Sequence, residues 1–224
     1  MQQRIIFEGK NDLYTIITIW DRNFKIPKGF DSTNYKKFGD KGDSFNGAIK
    51  SFKAALNEDN LTNIGIIVDA DYKHINGGIA ARWQRISDVV KARFPKLDLS
   101  SYSPNPNGIV IENENYPTIG VWIMPDNQNE GYLEHFLTQL IDREDVMYKN
   151  ATKIVKDLYE NNKHLKEIRK QKANIYTWLA WQEEPGQSFG TAVKSNILNA
   201  KGDAIQPFLN WLKDTFDVEV KEKM

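Results

Sequence analysis

The stretch Ile64-Gly65-Ile66-Ile67-Val68-Asp69-Ala70-Asp71 constrains the fold more than any other part of the chain. An apolar run rich in β-branched side chains reads as a strand buried on both faces, the habit of parallel sheets. It ends in two aspartates in alternate positions, and an extended backbone would point both the same way. Two carboxylates leaving a core strand together repel each other unless a positive charge offsets them. A hard divalent cation such as Mg2+ suits that role, because it prefers carboxylate and water oxygens. An Asp-rich turn that caps the next helix is the other reading of the same residues.

From the start of the chain, Arg4-Ile5-Ile6-Phe7 reads as a short strand that ends at Glu8-Gly9-Lys10-Asn11-Asp12. Asn11 or Asp12 is placed to cap a helix from Leu13 to about Trp20, with Leu13, Ile16, Ile17 and Trp20 at helical spacing. Glu8 then stands at the carboxyl end of a strand, the edge where ligands bind in open α/β sheets, although a lone glutamate there is commonly a solvated turn residue. Residues 21–45 are rich in Gly, Lys and Asp, with at most a weak strand near Phe24–Ile26. Gly39-Asp40-Lys41-Gly42-Asp43 lacks the Gly-Lys-Ser/Thr ending of a phosphate-binding P-loop and reads as a loop. Ser44 or Asp43 caps the next helix, which runs through Ala48, Phe52, Ala55 and Leu56.

After Asp71 a polar loop leads to an amphipathic helix with Ile79, Trp83, Ile86, Val90 and Phe94 on its apolar face, stopped by Pro95. Residues 98–117 are rich in Pro, Asn and Ser and hold one short strand, Ile109–Ile111. The next core strand, Ile119–Met124, ends at Pro125-Asp126-Asn127, and the helix that opens within 130–137 carries Glu134 in its first turns. This alternation predicts an α/β fold: a Rossmann-like, mainly parallel sheet with helices on both faces. Glu8, Asp69, Asp71 and Asp126 would then share one edge of it, and crowded carboxylates there call for a cation.

Composition narrows the function. The chain has no cysteine, which excludes disulfides, thiolate zinc sites and cysteine nucleophiles and suits a reducing cytoplasm. Thirty basic residues balance thirty acidic ones, so any polyanion must be held by a local patch. No signal-peptide profile opens the chain, and no apolar run approaches the ~20 residues of a membrane helix, so a cytoplasmic location and no membrane partner are expected.

Glu8-Gly9-Lys10-Asn11-Asp12 after the first strand, followed by Asp69-Ala70-Asp71 after a later hydrophobic one, resembles the Toprim domain. That catalytic α/β domain is shared by topoisomerases, bacterial primases, small maturation ribonucleases and OLD-type nucleases. The likeness covers about residues 3 to 142. Within the clan the chain is similar to small stand-alone Toprim-like proteins of unassigned function. Those carry segments like Trp122-Ile123-Met124-Pro125-Asp126-Asn127, Tyr132-Leu133-Glu134 and Leu179-Ala180-Trp181-Gln182-Glu183-Glu184-Pro185-Gly186.

The resemblance implies that Asp69 and Asp71 bind Mg2+ or Mn2+ and that Glu8 is a general acid/base or a further ligand. It adds Asp12 at the spacing of an acid used by OLD-type members, which are thought to hold two metals, and Asp126 and Glu134 around a second ion. The implied activity is metal-dependent cleavage of phosphodiesters in DNA or RNA, in a setting such as phage defence. Lys10 and Lys73 stand near enough in sequence to steady phosphate charge, though surface lysines are more often simply solvated. The chain carries no recognisable strand-passing tyrosine domain, primase-type zinc module or P-loop, so an ATPase would have to be a separate partner.

The division expected is an α/β domain over residues 1–144 and a helical extension over 145–224. Ile154, Val155, Leu158, Leu165 and Ile168 recur at helical spacing without interior Gly or Pro. Lys163, Lys166 and Lys170 would share a helix face in the basic run that also holds Arg169 and Lys172, which is either a patch tracking a nucleic-acid backbone or a solvated face. Tyr176, Trp178 and Trp181 are expected in the core, with base stacking the other use of such aromatics. Ile205, Phe208, Leu209, Trp211 and Leu212 mark a last helix, and the end from Val220 to Met224 is expected to fray. His74, His135 and His164 fall on different elements and receive no role.

Three functions stay open on these residues: a Toprim nuclease, a catalytically weak module that binds nucleic acid or a partner ATPase, and a nucleotide-sugar transferase. The last would use Asp69 and Asp71 to hold Mn2+ and a diphosphate and would leave Glu8 without a role. Association into a homo-oligomer also stays open.

Overall fold

The computed structural model of the protein describes residues 2–25, 44–75, 77–162, 164–216 and 218–221. Its organising strand is β2 (Leu61–Asp69), which pairs in parallel with β1 (Gln2–Phe7) on one side and β4 (Thr118–Met124) on the other. β3 (Ile109–Ile111) adds an antiparallel edge to β4, so the order is β1-β2-β4-β3. The excursion over residues 98–117 thus returns as the partner of the next strand. The carboxyl ends of three parallel strands, with Glu8, Asp69 and Asp126, lie along one edge.

Alternation along these strands sorts the side chains into two layers. Ile6, Ile64, Ile66, Val68, Val121 and Ile123 face α2 (Phe45–Ala55) and α3 (Ile79–Arg93), through Phe52, Ile86 and Val90. Ile5, Phe7, Ile67, Trp122 and Met124 face the other way. They meet α1 (Lys10–Asn23), α4 (Leu133–Thr138) and the C-terminal helices α6 (Lys170–Ala180), α7 (Phe189–Lys194) and α8 (Gln206–Phe216). Both faces are covered, as the buried apolar strands require.

Two glycines explain how α8 seats itself. Gly65 of β2 and Gly120 of β4 are register partners and leave a shallow groove on the sheet. A Cβ at Gly65 would meet the Phe216 ring at 2.7 Å, and one at Gly120 would overlap Thr215. Phe208, Trp211, Leu212 and Phe216 of α8 are essentially buried, each contributing about 1.5–3 kcal/mol of apolar transfer. The last helix therefore closes the same core as β1 and α1. α5 (Val146–Asn161) packs mainly on α6 and buries only Ala151 and Val155.

Several expectations are corrected. α1 starts earlier, at Lys10, with Gly9 at its N-cap and no capping side chain, so neither Asn11 nor Asp12 caps it. Asp12 is instead buried in the first turn. Ser44 does cap α2, accepting from the Gly47 N–H at 3.2 Å. Asp43, Ile26 and the Gly39–Asp43 loop lie outside the described residues. The helix expected through Ile154–Ile168 breaks after Asn161, where the amides of Asn161 and Asn162 turn back onto the carbonyls of Asp157 and Leu158. A short 3-10 turn, Glu167–Arg169, then precedes α6. Trp178 is core, but Tyr176 and Trp181 are more than 40% exposed. The tail is tied down at Val220, which bridges Phe24 while Lys221 N–H donates to the Asn23 carbonyl. Among the described residues no helix is long and apolar enough to cross a membrane.

Candidate active site

Glu8 follows β1 directly, and one of its carboxylate oxygens accepts the Asp69 N–H at 3.1 Å, which ties the ends of β1 and β2 together. Asp69 Oδ1 accepts the Leu133 N–H at 3.0 Å, joining that strand end to the start of α4. Asp12, on the first turn of α1, and Glu134, on α4, are both buried against the same edge. Asp71 completes the group by a route that strand alternation does not describe. The strand ends at Asp69, and Asp71 has the left-handed φ of 55° that aspartate tolerates better than most residues. It is held there by paired backbone hydrogen bonds with Gly131.

Cations answer part of this charge. Arg82 of α3 is buried, places Nη2 2.6 Å from Asp71 Oδ2, and donates through Nε to the Asp69 carbonyl at 3.1 Å. Its guanidinium lies 4.0 Å above the Phe45 ring, which fixes its direction. Lys172 of α6 reaches Glu134 at 2.9 Å. Burial works against the Lys172 cation, but the hydrogen bond and charge of Glu134 outweigh it and raise its pKa.

Burial is also the largest influence on two of the carboxyls, Glu8 and Asp69. It pushes Glu8 up to about 7; Asp71's charge pushes the same way, against the Asp69 and Phe45 N–H groups and Arg82. Asp69 is driven well above the usual carboxylate range, first by burial and then by the negative charges of Asp12, Glu8, Glu134 and Asp71. Five carboxyls thus share one partly desolvated space, with the charges of the other four acting on Asp69. Their donor atoms are all oxygens, which suits Mg2+ or Mn2+ in kind, and a divalent cation would relieve the repulsion. As they stand, Asp71 is turned to Arg82 and Asp69 to Leu133, and among the described residues no three such side chains already form a metal-holding group. The fit is one of donor chemistry and crowding, and loading requires these side chains to turn.

The other expected residues fall in different places. Asp126 does not join the cluster: its oxygens accept from the N–H groups of Gln128 and Asn129 and from the Asn129 amide at 2.7–3.1 Å, closing a turn on itself. Lys10 is exposed at the first residue of α1, and Lys73 is exposed with its backbone N–H on Glu130. Lys166 and Lys170 do not share a helix face, because Lys166 precedes the 3-10 turn and Lys170 opens α6. Lys163 lies outside the described residues. Lys170 nonetheless stands beside the site, lining a cleft with Tyr72 and His135. A larger cleft, about 450 Å3, lies at the opposite end of the strands around Leu61, Arg93 and Tyr116, away from every carboxyl of the cluster.

Sequence reasoning missed Arg82 and gave Lys172 no site. Arg82 had a signal: Ile79, Arg82, Ile86 and Val90 recur at three- and four-residue steps, so an arginine joins the buried stripe of α3 beside Trp83, which packs partly buried on the same core. Lys172 had none beyond its basic neighbours, because its partner is far away in sequence.

A family model described as "Protein of unknown function (DUF3226)" matches residues 2–217, and the chain belongs to that family. No curated protein and no solved structure matches it.

Proposed function

We propose that the chain is a Toprim-like, metal-dependent phosphodiesterase that cleaves nucleic acid in the cytoplasm. The observation that carries this reading is the convergence of Glu8, Asp12, Asp69, Asp71 and Glu134 at one sheet edge, with Glu8 and Asp69 both held above their ordinary pKa. Such crowding is unfavourable for folding alone and is the arrangement expected where a cation and a phosphate bind. Asp69 and Asp71 would hold the ion, with Asp12 and Glu134 around them and Glu8 beside it, and bound Mg2+ or Mn2+ would polarise the phosphate and acidify a water.

The chain's own groups supply the rest. Glu8, which burial lifts to about 7 in the metal-free protein, stands where it can take a proton from an attacking water or return one to the leaving oxygen. Arg82 orients Asp71 and braces the Asp69 carbonyl, so it positions the carboxylates. Lys170 and Lys172, paired with Glu167 and Glu134 in the free protein, are the cations that could turn to a phosphate backbone beside these acidic groups.

A second reading has its own support. The engagement of Asp71 by Arg82 and of Asp69 by Leu133 favours a catalytically weak module that binds nucleic acid, or a partner ATPase, without cutting. Glu8's place in the cluster counts against a nucleotide-sugar transferase, which gives it no task. Labelled single- and double-stranded DNA and RNA, incubated with Mg2+ or Mn2+, separate these. The nuclease cuts at least one of them and loses activity in both Asp69→Asn and Glu8→Gln. Binding without cutting supports the module, and copurification of an ATPase from the native cell would identify its partner.

A further inference from the structure

A cleft of about 350 Å3 opens beside the carboxyls, between the turn after β2 and the start of α6. That volume falls in the range of small-ligand sites, about 300–1,000 Å3. Tyr72, His74 and His135 form one side, and Glu167, Ile168 and Lys170 the other. Two of these residues are chain neighbours of the carboxyl cluster: Tyr72 follows Asp71, and His135 follows Glu134. The charges of Asp71 and Glu134 act on Tyr72 and His135 respectively, so the cleft borders the carboxyl cluster.

The aromatic rings of the lining pack on one another. The Tyr72 and His74 rings lie 5.5 Å apart with planes 35° from parallel, while His135 meets Tyr72 edge-on at 6.3 Å and 72°. The Tyr132 N–H donates to His135 Nδ1 at 3.3 Å, which leaves the ring proton on Nε2 to donate to Tyr72 Oη, also at 3.3 Å. Tyr132 packs edge-on against Tyr72 and donates its hydroxyl to the Ile168 carbonyl at 2.5 Å, tying the two walls together. The Tyr72 platform is thus set before any ligand arrives, which lowers the ordering cost of binding. In the same lining, Lys170 and Glu167 form an ion pair at 3.0 Å, a donor and an acceptor side by side.

Flat aromatic faces, an apolar Ile168 edge and a paired donor and acceptor suit a heteroaromatic ring with hydrogen-bonding edges. We propose that this cleft is a nucleobase subsite, which takes one unpaired base of a single strand whose phosphate lies at the Glu8–Asp69–Asp71 edge. This rests on the phosphodiesterase reading and adds to it a preference for single-stranded substrate. A base inside a duplex is stacked on both faces and has none free for Tyr72.

The test is fluorescence anisotropy of labelled DNA and RNA tetranucleotides with Glu8→Gln protein and Mg2+, where cleavage does not obscure binding. Matching abasic strands and the same sequence within a duplex are the comparison probes. The subsite predicts that Tyr72→Ala weakens the intact strand about tenfold or more, that Tyr72→Phe does not, and that the exposed His74→Ala weakens it less than Tyr72→Ala but in the same direction. It also predicts that abasic and duplex probes bind weakly and are indifferent to Tyr72→Ala, so that the two losses do not add. Equal binding of intact and abasic strands overturns the subsite and leaves the phosphodiesterase reading standing. Failure of every probe to bind overturns both.

Discussion

The exits of β2 and β4 carry the same sequence signature, an apolar strand that runs into aspartate, and they come to opposite ends. At β2, Asp69 and Asp71 face carboxyls supplied by β1, α1 and α4, and burial keeps Asp69 reluctant to ionise. At β4, Asp126 spends both oxygens on the next few residues. The difference lies in the residues just beyond each aspartate. Gln128 and Asn129 fold back and offer their N–H groups, whereas Ala70 and Asp71 are held by backbone pairing with Met124 and Gly131. In this chain the acidic strand end that gathers other carboxyls is the one whose next residues give it no local donors.

Breaking each exit in turn should separate them. The largest effect is on catalysis: Asp69→Asn should lower metal-dependent cleavage by about a hundredfold to a thousandfold, whereas Asp126→Asn should change it by less than about twofold. Cleavage of labelled strands under single-turnover conditions checks both. Next is the brace. Arg82→Met leaves Asp71 without its guanidinium in a site already crowded with carboxyls, and urea unfolding should show a loss of about 3 kcal/mol.

The third effect sharpens the comparison by pH. Glu8 ordinarily titrates at 4.5 and in the folded protein at about 7, so between these values the folded chain keeps a proton that the unfolded chain has lost. Its contribution is complete below the lower value and disappears as pH rises through the upper one, which lowers metal-free stability by up to about 3 kcal/mol. Asp69 shifts in the same direction. Thermal melts between pH 4 and 8, with chelator present, should fall with rising pH and flatten in Glu8→Gln. The smallest effect belongs to the other exit: Asp126→Ala removes the hydrogen bonds that close a turn and should cost about 1 kcal/mol in urea unfolding at pH 7.

Much of the fold was legible because strand and helix periods are local. The alternation of apolar strands with amphipathic segments was enough to anticipate a mainly parallel, two-faced sheet. The site was harder, because its partners come from distant elements. Glu8 and Asp69 could be placed at strand ends, but nothing local shows that Asp71 enters through a left-handed turn, or that Asp126 satisfies itself. Arg82 was readable as a charge on a buried stripe. Lys172 was not, since only the docking of α6 on α4 brings it to Glu134. Asn161-Asn162 was a local stop signal inside an otherwise unbroken helical pattern.

The most direct test of a cation site at the β2 exit is calorimetric titration of Mn2+ at pH 8 into the wild-type protein, Asp69→Asn and Asp126→Asn. The predicted result is binding by the wild type and by Asp126→Asn with the same affinity, and none by Asp69→Asn. Binding that survives Asp69→Asn, or no binding by any of the three, would contradict it.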